Sequence, residues 1–183
     1  MGVEQWRWAG QERFAGFCLT FLLNREPAAV AASLGADSLT LMTLAEAERA
    51  YPISRPGALL RLGAFDNWVF CFEDRAPIAN RTPAILRLSK DTRMLQLSRS
   101  GDGMVVVRDV VDGRTMEMFE PGGAVYVDGP LRPRIAALLP AHSRIVAALA
   151  VVGDEVGANL DRATLDGRLA TALSPLNEPA GRR

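Results

Sequence analysis

Hydrophobic and polar positions alternate most regularly between residues 93 and 122, where three short runs are separated by two turns that contain Asp-Gly. Alternation with a period of two is typical of β-strands, and Asp-Gly suits the tight loops of hairpins. This segment therefore predicts a three-stranded antiparallel meander.

A two-residue type I′ loop at Asp112-Gly113 would fix the register of the second hairpin. It places Val111 opposite Arg114 and Arg108 opposite Glu117. The Arg108–Glu117 pair would set opposite charges across the ladder, an arrangement that contributes about 0.2 to 1 kcal/mol when it is exposed. The simpler interpretation is a surface ion pair, and the alternative is a pair of binding residues.

Apolar runs in the N-terminal half predict buried strands joined by short helices. The predicted strands are Phe17–Leu23 and the two arms of a hairpin, Ala58–Phe65 and Trp68–Glu73. The predicted helices are 25–34, Leu44–Ala50 behind a capping box at Thr43, and 83–88 with Thr82 as its cap.

Helical periodicity dominates after residue 130. The clearest helix is Arg144–Val156, and a last helix is predicted after Asp161 because Leu165, Leu169 and Leu173 recur every four residues. We therefore predict a single α+β domain over residues 1–176, with a helical C-terminal part at about 131–174 and a flexible tail at 177–183. Its twisted, mainly antiparallel sheet would contain five to seven strands with short inserted helices, in an order that stays open.

The composition favours a globular protein and excludes some classes of partner. The 183 residues are 49% hydrophobic, which suffices for one sizeable core. The 21 basic and 21 acidic residues cancel without a like-charge block, so neither nucleic acid nor an anionic membrane is an expected partner. No run approaches the length of a membrane span, and we expect a cytoplasmic protein.

Residues that carry catalytic chemistry are sparse. Cys18 and Cys71 lie in apolar runs and are interpreted as buried thiols, too few for a disulfide framework. The lone His142 at a helix start would have to supply the whole base function of a conventional triad. Carboxylate pairs such as Glu73 with Asp74 carry no sign of desolvation. The sequence therefore predicts no catalytic residue, no metal site and no cofactor.

Aromatic residues form the most conspicuous group in the N-terminal half. Alternating aromatic positions in strands more often build a core than a pocket, although Trp68 stays a candidate for binding. Trp6 and Trp8 lie so close to the terminus that they are ordered only if they dock on the core. Whether Trp6 and Trp8 dock on the core stays open.

Several stretches together are similar to a known group of sequences. They include Phe17-Cys18-Leu19-Thr20-Phe21, Met42-Thr43-Leu44-Ala45-Glu46-Ala47 and Phe119-Glu120-Pro121. Over most of its length the chain resembles a family of uncharacterised actinomycete proteins that contain a domain of unknown function. None of these stretches is a catalytic signature, so the resemblance implies no activity, cofactor or site residue.

Two functional hypotheses follow. The first is a non-enzymatic, cytoplasmic protein-interaction or regulatory module, conceivably of the immunity type, that acts as a monomer or as a homodimer through a meander edge at 93–98 or 114–120. The second is a small-molecule binding protein or an unusual hydrolase, with a pocket between the sheet and the C-terminal helices. The candidate binding residues are Trp68, Glu73, Arg108, Glu117 and His142.

Overall fold

The computed structural model describes residues 2–14, 16–74 and 77–175, and the tail predicted at 177–183 lies outside them. Within this part of the chain nine strands form one antiparallel sheet, so the protein is α+β but has more strands than the five to seven predicted. The strands are β1 (Phe17–Leu23), β2 (Thr40–Met42), β3 (Ala58–Phe65), β4 (Trp68–Glu73), β5 (Arg93–Arg99), β6 (Val105–Val111), β7 (Arg114–Phe119), β8 (Val125–Val127) and β9 (Leu169–Ser174). Their spatial order is β2-β9-β3-β4-β1-β5-β6-β7-β8.

Helices cover both faces of the sheet. The α-helices are α1 (Pro27–Ser33), α2 (Leu44–Ala50), α3 (Thr82–Ser89), α4 (Leu131–Leu138), α5 (Arg144–Val156) and α6 (Arg162–Asp166), and a 3₁₀ helix spans Val3–Gly10. The 3₁₀ helix, α4 and α5 pack on the first face, over an aromatic core. The second face packs against α1 and α3. A central strand such as β1 is therefore buried on both sides, as its apolar sequence predicts.

Trp6 and Trp8 dock on the core of the first face. Trp6 is fully buried, and Trp8 donates a hydrogen bond from its indole Nε1 to the Leu160 carbonyl at 3.0 Å. Gly153 of α5 lies so close to the Trp6 ring that a Cβ at this position would stand 2.3 Å from a ring carbon. The absence of a side chain at Gly153 thus lets α5 approach the tryptophan.

The meander is confirmed, but the predicted register holds only next to the loop. Asp112 and Gly113 have positive φ angles, and Val111 faces Arg114. A β-bulge then adds one residue to β7, so that Arg108 faces Met118 and Glu117 faces Asp109. The predicted pairing of Arg108 with Glu117 is therefore wrong, because the extra residue moves the two side chains to opposite faces.

The last predicted helix is confirmed only for Arg162–Asp166, and the rest of it is wrong. Asp161 caps α6 by accepting a hydrogen bond from the Thr164 amide at 2.8 Å, but α6 ends at Asp166. After Gly167 the chain forms β9, which lies between β2 and β3. Side chains alternate between the two faces of a strand, so residues separated by an even number of positions share a face. Leu169 and Leu173 are four residues apart and therefore also fit one face of a strand. The predicted helical part at 131–174 therefore contains a strand from the interior of the sheet.

Two further predictions need correction. The segment 93–98, predicted as an exposed edge, belongs to the interior strand β5, and the edge strands are β2 and β8. In the segment 114–120, β8 pairs only with Met118 and Phe119, so the first half of β7 has no strand on that side among the described residues. In α3, Thr82 is the first helical residue and Arg81 precedes it as the cap residue. The capping box of α2 between Thr43 and Glu46 is confirmed.

Candidate functional site

Polar side chains form a row across four neighbouring strands on the second face. Cys71 of β4 pairs with Thr20 of β1, Thr20 pairs with Gln96 of β5, and Gln96 pairs with Arg108 of β6. Thr20 and Gln96 are fully buried, whereas Arg108 is half-buried. Buried polar groups of this kind require hydrogen-bond partners, and these partners define the site.

Gln96 connects the row to the loop that follows β4. Its Nε2 donates to the Ala79 carbonyl at 3.0 Å and to Thr20 Oγ1 at 3.1 Å. A carbonyl can only accept, so the amide nitrogen must face Ala79 and the Gln96 Oε1 must face Arg108. Arg108 donates from Nη1 to this oxygen at 3.0 Å. Gln96 therefore orients the guanidinium group without neutralising it.

Arg108 carries a charge that has no acidic partner in the described part of the chain. Within residues 2–14, 16–74 and 77–175, its side chain donates to the neutral Gln96 amide and forms no ion pair with a carboxylate. Burial lowers the pKa of Arg108 from its ordinary value, but a guanidinium group stays protonated in proteins. A half-buried cation without a counterion favours the binding of an anion.

Glu73 holds the loop that borders Arg108. The carboxylate is fully buried and accepts hydrogen bonds from the amides of Ile78 at 2.8 Å and Ala79 at 3.2 Å. Burial raises the pKa of Glu73 to about 7, while the two amide bonds and the charge of Arg81 act in the opposite direction. Residues 77–81 are thereby fixed above the sheet.

The loop and the sheet enclose a cleft of about 460 Å³, which we call the arginine cleft. This volume lies in the range of small-molecule sites. Its base is formed by side chains of β5 and β6, and residues 77–81 form one side. The lining residues are Gly16, Pro77, Asn80, Arg81, Ser98, Arg99, Ser100, Gly101, Met104, Val106 and Arg108.

The charge of the arginine cleft is positive. Arg81, Arg99 and Arg108 line it, and its described lining contains neither Asp nor Glu. Arg99 donates to two carbonyls, Ala9 at 2.6 Å and Phe14 at 3.3 Å, so its guanidinium group is held on the first face and only the end of β5 contributes to the cleft. The neutral Asn80 and Ser98 add hydrogen-bonding groups, whereas the Ser100 hydroxyl donates to Asp102. Such a set of donors can bind a carboxylate, phosphate or sulfate group.

The structure brings only two of the five predicted site residues together. Glu73 and Arg108 lie on the second face, and both act electrostatically on the buried Cys18 between them. Glu117 lies on the first face, where it accepts hydrogen bonds from the amides of Leu131 at 3.0 Å and Arg132 at 2.8 Å. It therefore caps α4.

The other two candidates lie away from the arginine cleft. Trp68 packs at the margin of the aromatic core, and His142 is half-buried between α4 and α5. The cleft itself lies on the face opposite the C-terminal helices, whereas the small-molecule hypothesis located the pocket between those helices and the sheet. Burial raises the pKa of both Cys18 and Cys71, so both thiols stay protonated.

Sequence reasoning missed Gln96, Arg81 and Arg99. Gln96 had a signal, because it is a polar residue within the otherwise apolar run Met94-Leu95-Gln96-Leu97. A buried polar side chain in a central strand needs a partner, and that partner is often functional or structural. Arg81 and Arg99 carried no such signal, since arginines are common throughout this chain.

The described residues contain no group of three or more His, Cys, Asp or Glu side chains that could hold a metal ion. No helix in the described ranges is long and apolar enough to cross a membrane.

Comparison with known proteins returned no relative. No protein-family model, curated protein or solved structure matches this chain. The resemblance to an actinomycete family therefore stays a prediction.

Proposed function

We propose that the protein binds a small anionic ligand in the arginine cleft. The observation that carries this proposal is Arg108, a half-buried guanidinium group oriented by a fully buried neutral amide and facing a concave site. Arg93, by contrast, pairs with the carboxylate of Asp109 at 2.8 Å. This is the small-molecule hypothesis of the sequence analysis, moved to the other face of the sheet.

Electrostatics supports the same proposal. Arg81 and Arg108 place two positive charges at one cleft, and an anion bound between them reduces their repulsion. The low local dielectric strengthens each charged hydrogen bond, since part of the site is shielded from water. A bound carboxylate or phosphate would therefore stabilise the folded protein as well as occupy the cleft.

A thermal-shift panel of carboxylates, phosphates and sulfate tests the proposal. Ligands that bind the folded state raise the melting temperature with concentration. We expect stabilisation of the wild type by at least one class of anion, and loss of this stabilisation in Arg108→Gln. Arg114→Gln is the matched control, because Arg114 is exposed at the start of β7. Equal responses of wild type and Arg108→Gln would contradict the proposal.

A second candidate function is the protein-interaction module, because the β8 edge is exposed. Val125, Tyr126 and Val127 are 47, 57 and 37% exposed on a strand with one free side. Exposed edge strands can pair with a strand of a partner. Affinity capture of the tagged protein, compared with Tyr126→Lys, tests this: a stoichiometric partner that is lost in the variant supports it. A cytoplasmic location belongs to the same hypothesis.

A further inference from the structure

The arginine cleft has an apolar flank next to its cations. Pro77, Met104 and Val106 line the cleft together with the arginines. Val106 precedes Arg108 by two residues on β6, so both side chains lie on the same face of the strand. Met104, at the end of the cleft near the β5–β6 turn, is 46% exposed. The flank therefore presents hydrophobic surface beside the positive charge.

The hydrophobic surface continues beyond the cleft toward the β8 edge. Met118 of β7 lies directly opposite Arg108, and Val127 of β8 lies opposite Met118. Met118 is partly buried and Val127 is 37% exposed. On this face α1 contacts β3, β4 and β9, while α3 contacts β5. The apolar side chains of β7 and β8 thus lie beyond the strands that these two helices cover.

This arrangement distinguishes between two kinds of anion. A small inorganic anion would use only the guanidinium groups and would leave the apolar flank in water. An anion with an apolar tail would also bury this flank, and each buried methylene adds about a fourfold gain in affinity. Methionine side chains suit such a ligand, because their flexible thioethers adapt to tails of different shape.

On the basis of the proposed anion site, we infer that the ligand is an amphipathic anion, whose acidic head binds Arg108 and whose unbranched apolar tail lies along Met104, Val106 and Met118. The charge of Arg108 and the apolar side chains beside it fix its orientation. The head can be a carboxylate or a phosphate, since both accept the same guanidinium donors.

A chain-length series tests the inference by isothermal titration calorimetry. The probes are sulfate, butanoate, hexanoate and octanoate, with methyl and hexyl phosphate to compare the two head groups. We expect the affinity to rise at least tenfold from butanoate to octanoate. Met104→Gln and Met118→Gln should each weaken octanoate binding severalfold and leave sulfate binding unchanged. Both methionines are partly exposed, so these variants should fold.

The outcomes separate this inference from the proposed function. If affinity does not depend on chain length while Arg108→Gln still weakens sulfate binding, the amphipathic ligand is wrong and the anion site stands. If chain length matters equally in wild type, Met104→Gln and Met118→Gln, the tail binds elsewhere and the inference is also wrong. If no probe distinguishes wild type from Arg108→Gln, the proposed function fails together with the inference.

Discussion

The two faces of the sheet each bury a glutamate that accepts hydrogen bonds from two backbone amides. Glu117 on the first face binds the amides of Leu131 and Arg132 at the start of α4. Glu73 on the second face binds the amides of Ile78 and Ala79, which belong to a loop. The helix start offers a carboxylate the positive end of a dipole, whereas the loop does not.

The charged groups around the two glutamates also differ. Near Glu117, charged groups of the first face hold secondary-structure elements together, as in the ion pairs of Arg93 with Asp109 and of Arg134 with Glu155. Near Glu73, Arg108 forms no ion pair with a carboxylate of the described residues. The first face thus uses its polar groups for stability, and the second face leaves cations accessible.

The largest expected effect is on the first face. Glu117→Ala removes two charged hydrogen bonds at the start of α4, so the free energy of unfolding should fall by about 3 to 5 kcal/mol. Urea unfolding followed by circular dichroism measures this change. Glu120→Ala is the control, because Glu120 accepts one exposed hydrogen bond from Tyr126 and should cost less than about 1 kcal/mol. Equal losses in the two variants would contradict the assigned role of Glu117.

The next effect concerns the pH dependence of stability on the second face. Burial raises the pKa of Glu73 from 4.5 to about 7, so the folded protein binds this proton more tightly than the unfolded chain does. The resulting stabilisation is complete below pH 4.5 and is lost as the pH rises through 7. At about 1.4 kcal/mol per pKa unit, the loss amounts to about 3 kcal/mol.

Urea unfolding of wild type and Glu73→Gln between pH 4.5 and 8 measures this contribution. The variant lacks the titrating group, so the stability of the wild type relative to the variant should decrease across this range. A constant difference, or an increase with pH, would show that Glu73 is not the proton-binding group.

The smallest expected effect is on ligand affinity. Gln96→Leu removes the amide that orients Arg108, and an imprecisely held guanidinium group should bind the anion about tenfold more weakly. The affinity for sulfate or octanoate provides the measurement. Gln5→Leu is the matched control, since Gln5 donates to the Ala158 carbonyl at 3.4 Å on the first face. Unchanged affinity in Gln96→Leu would remove Gln96 from the site.

Much of the local structure could be predicted because the signals were local. The capping box at Thr43, the Asp112-Gly113 loop and the alternating aromatics of β4 depend on neighbours in sequence. The β-bulge in β7 and the strand β9 could not be predicted in the same way. A bulge has no signature in the sequence of the strand that contains it. Leucines spaced four residues apart fit one face of a helix and one face of a strand alike.

In the candidate site, too, some features could be predicted from local sequence and others could not. Glu73 and Arg108 were identified as residues of interest from their positions in strands, but the sequence paired Arg108 with Glu117. The bulge separates these two residues, and the order β4-β1-β5-β6, together with the registers of these strands, places Glu73 and Arg108 on one face instead. This strand order depends on contacts between segments far apart in the chain.

The sequence by itself determined the α+β class, most of the strands and the scarcity of catalytic groups, because propensity, patterning and composition act locally. The tertiary structure alone decided that β9 enters the sheet, that Trp6 and Trp8 dock, and that Arg81 and Arg108 share one cleft. Each of these depends on burial against distant residues, and the free energy of burial does not depend on separation along the chain.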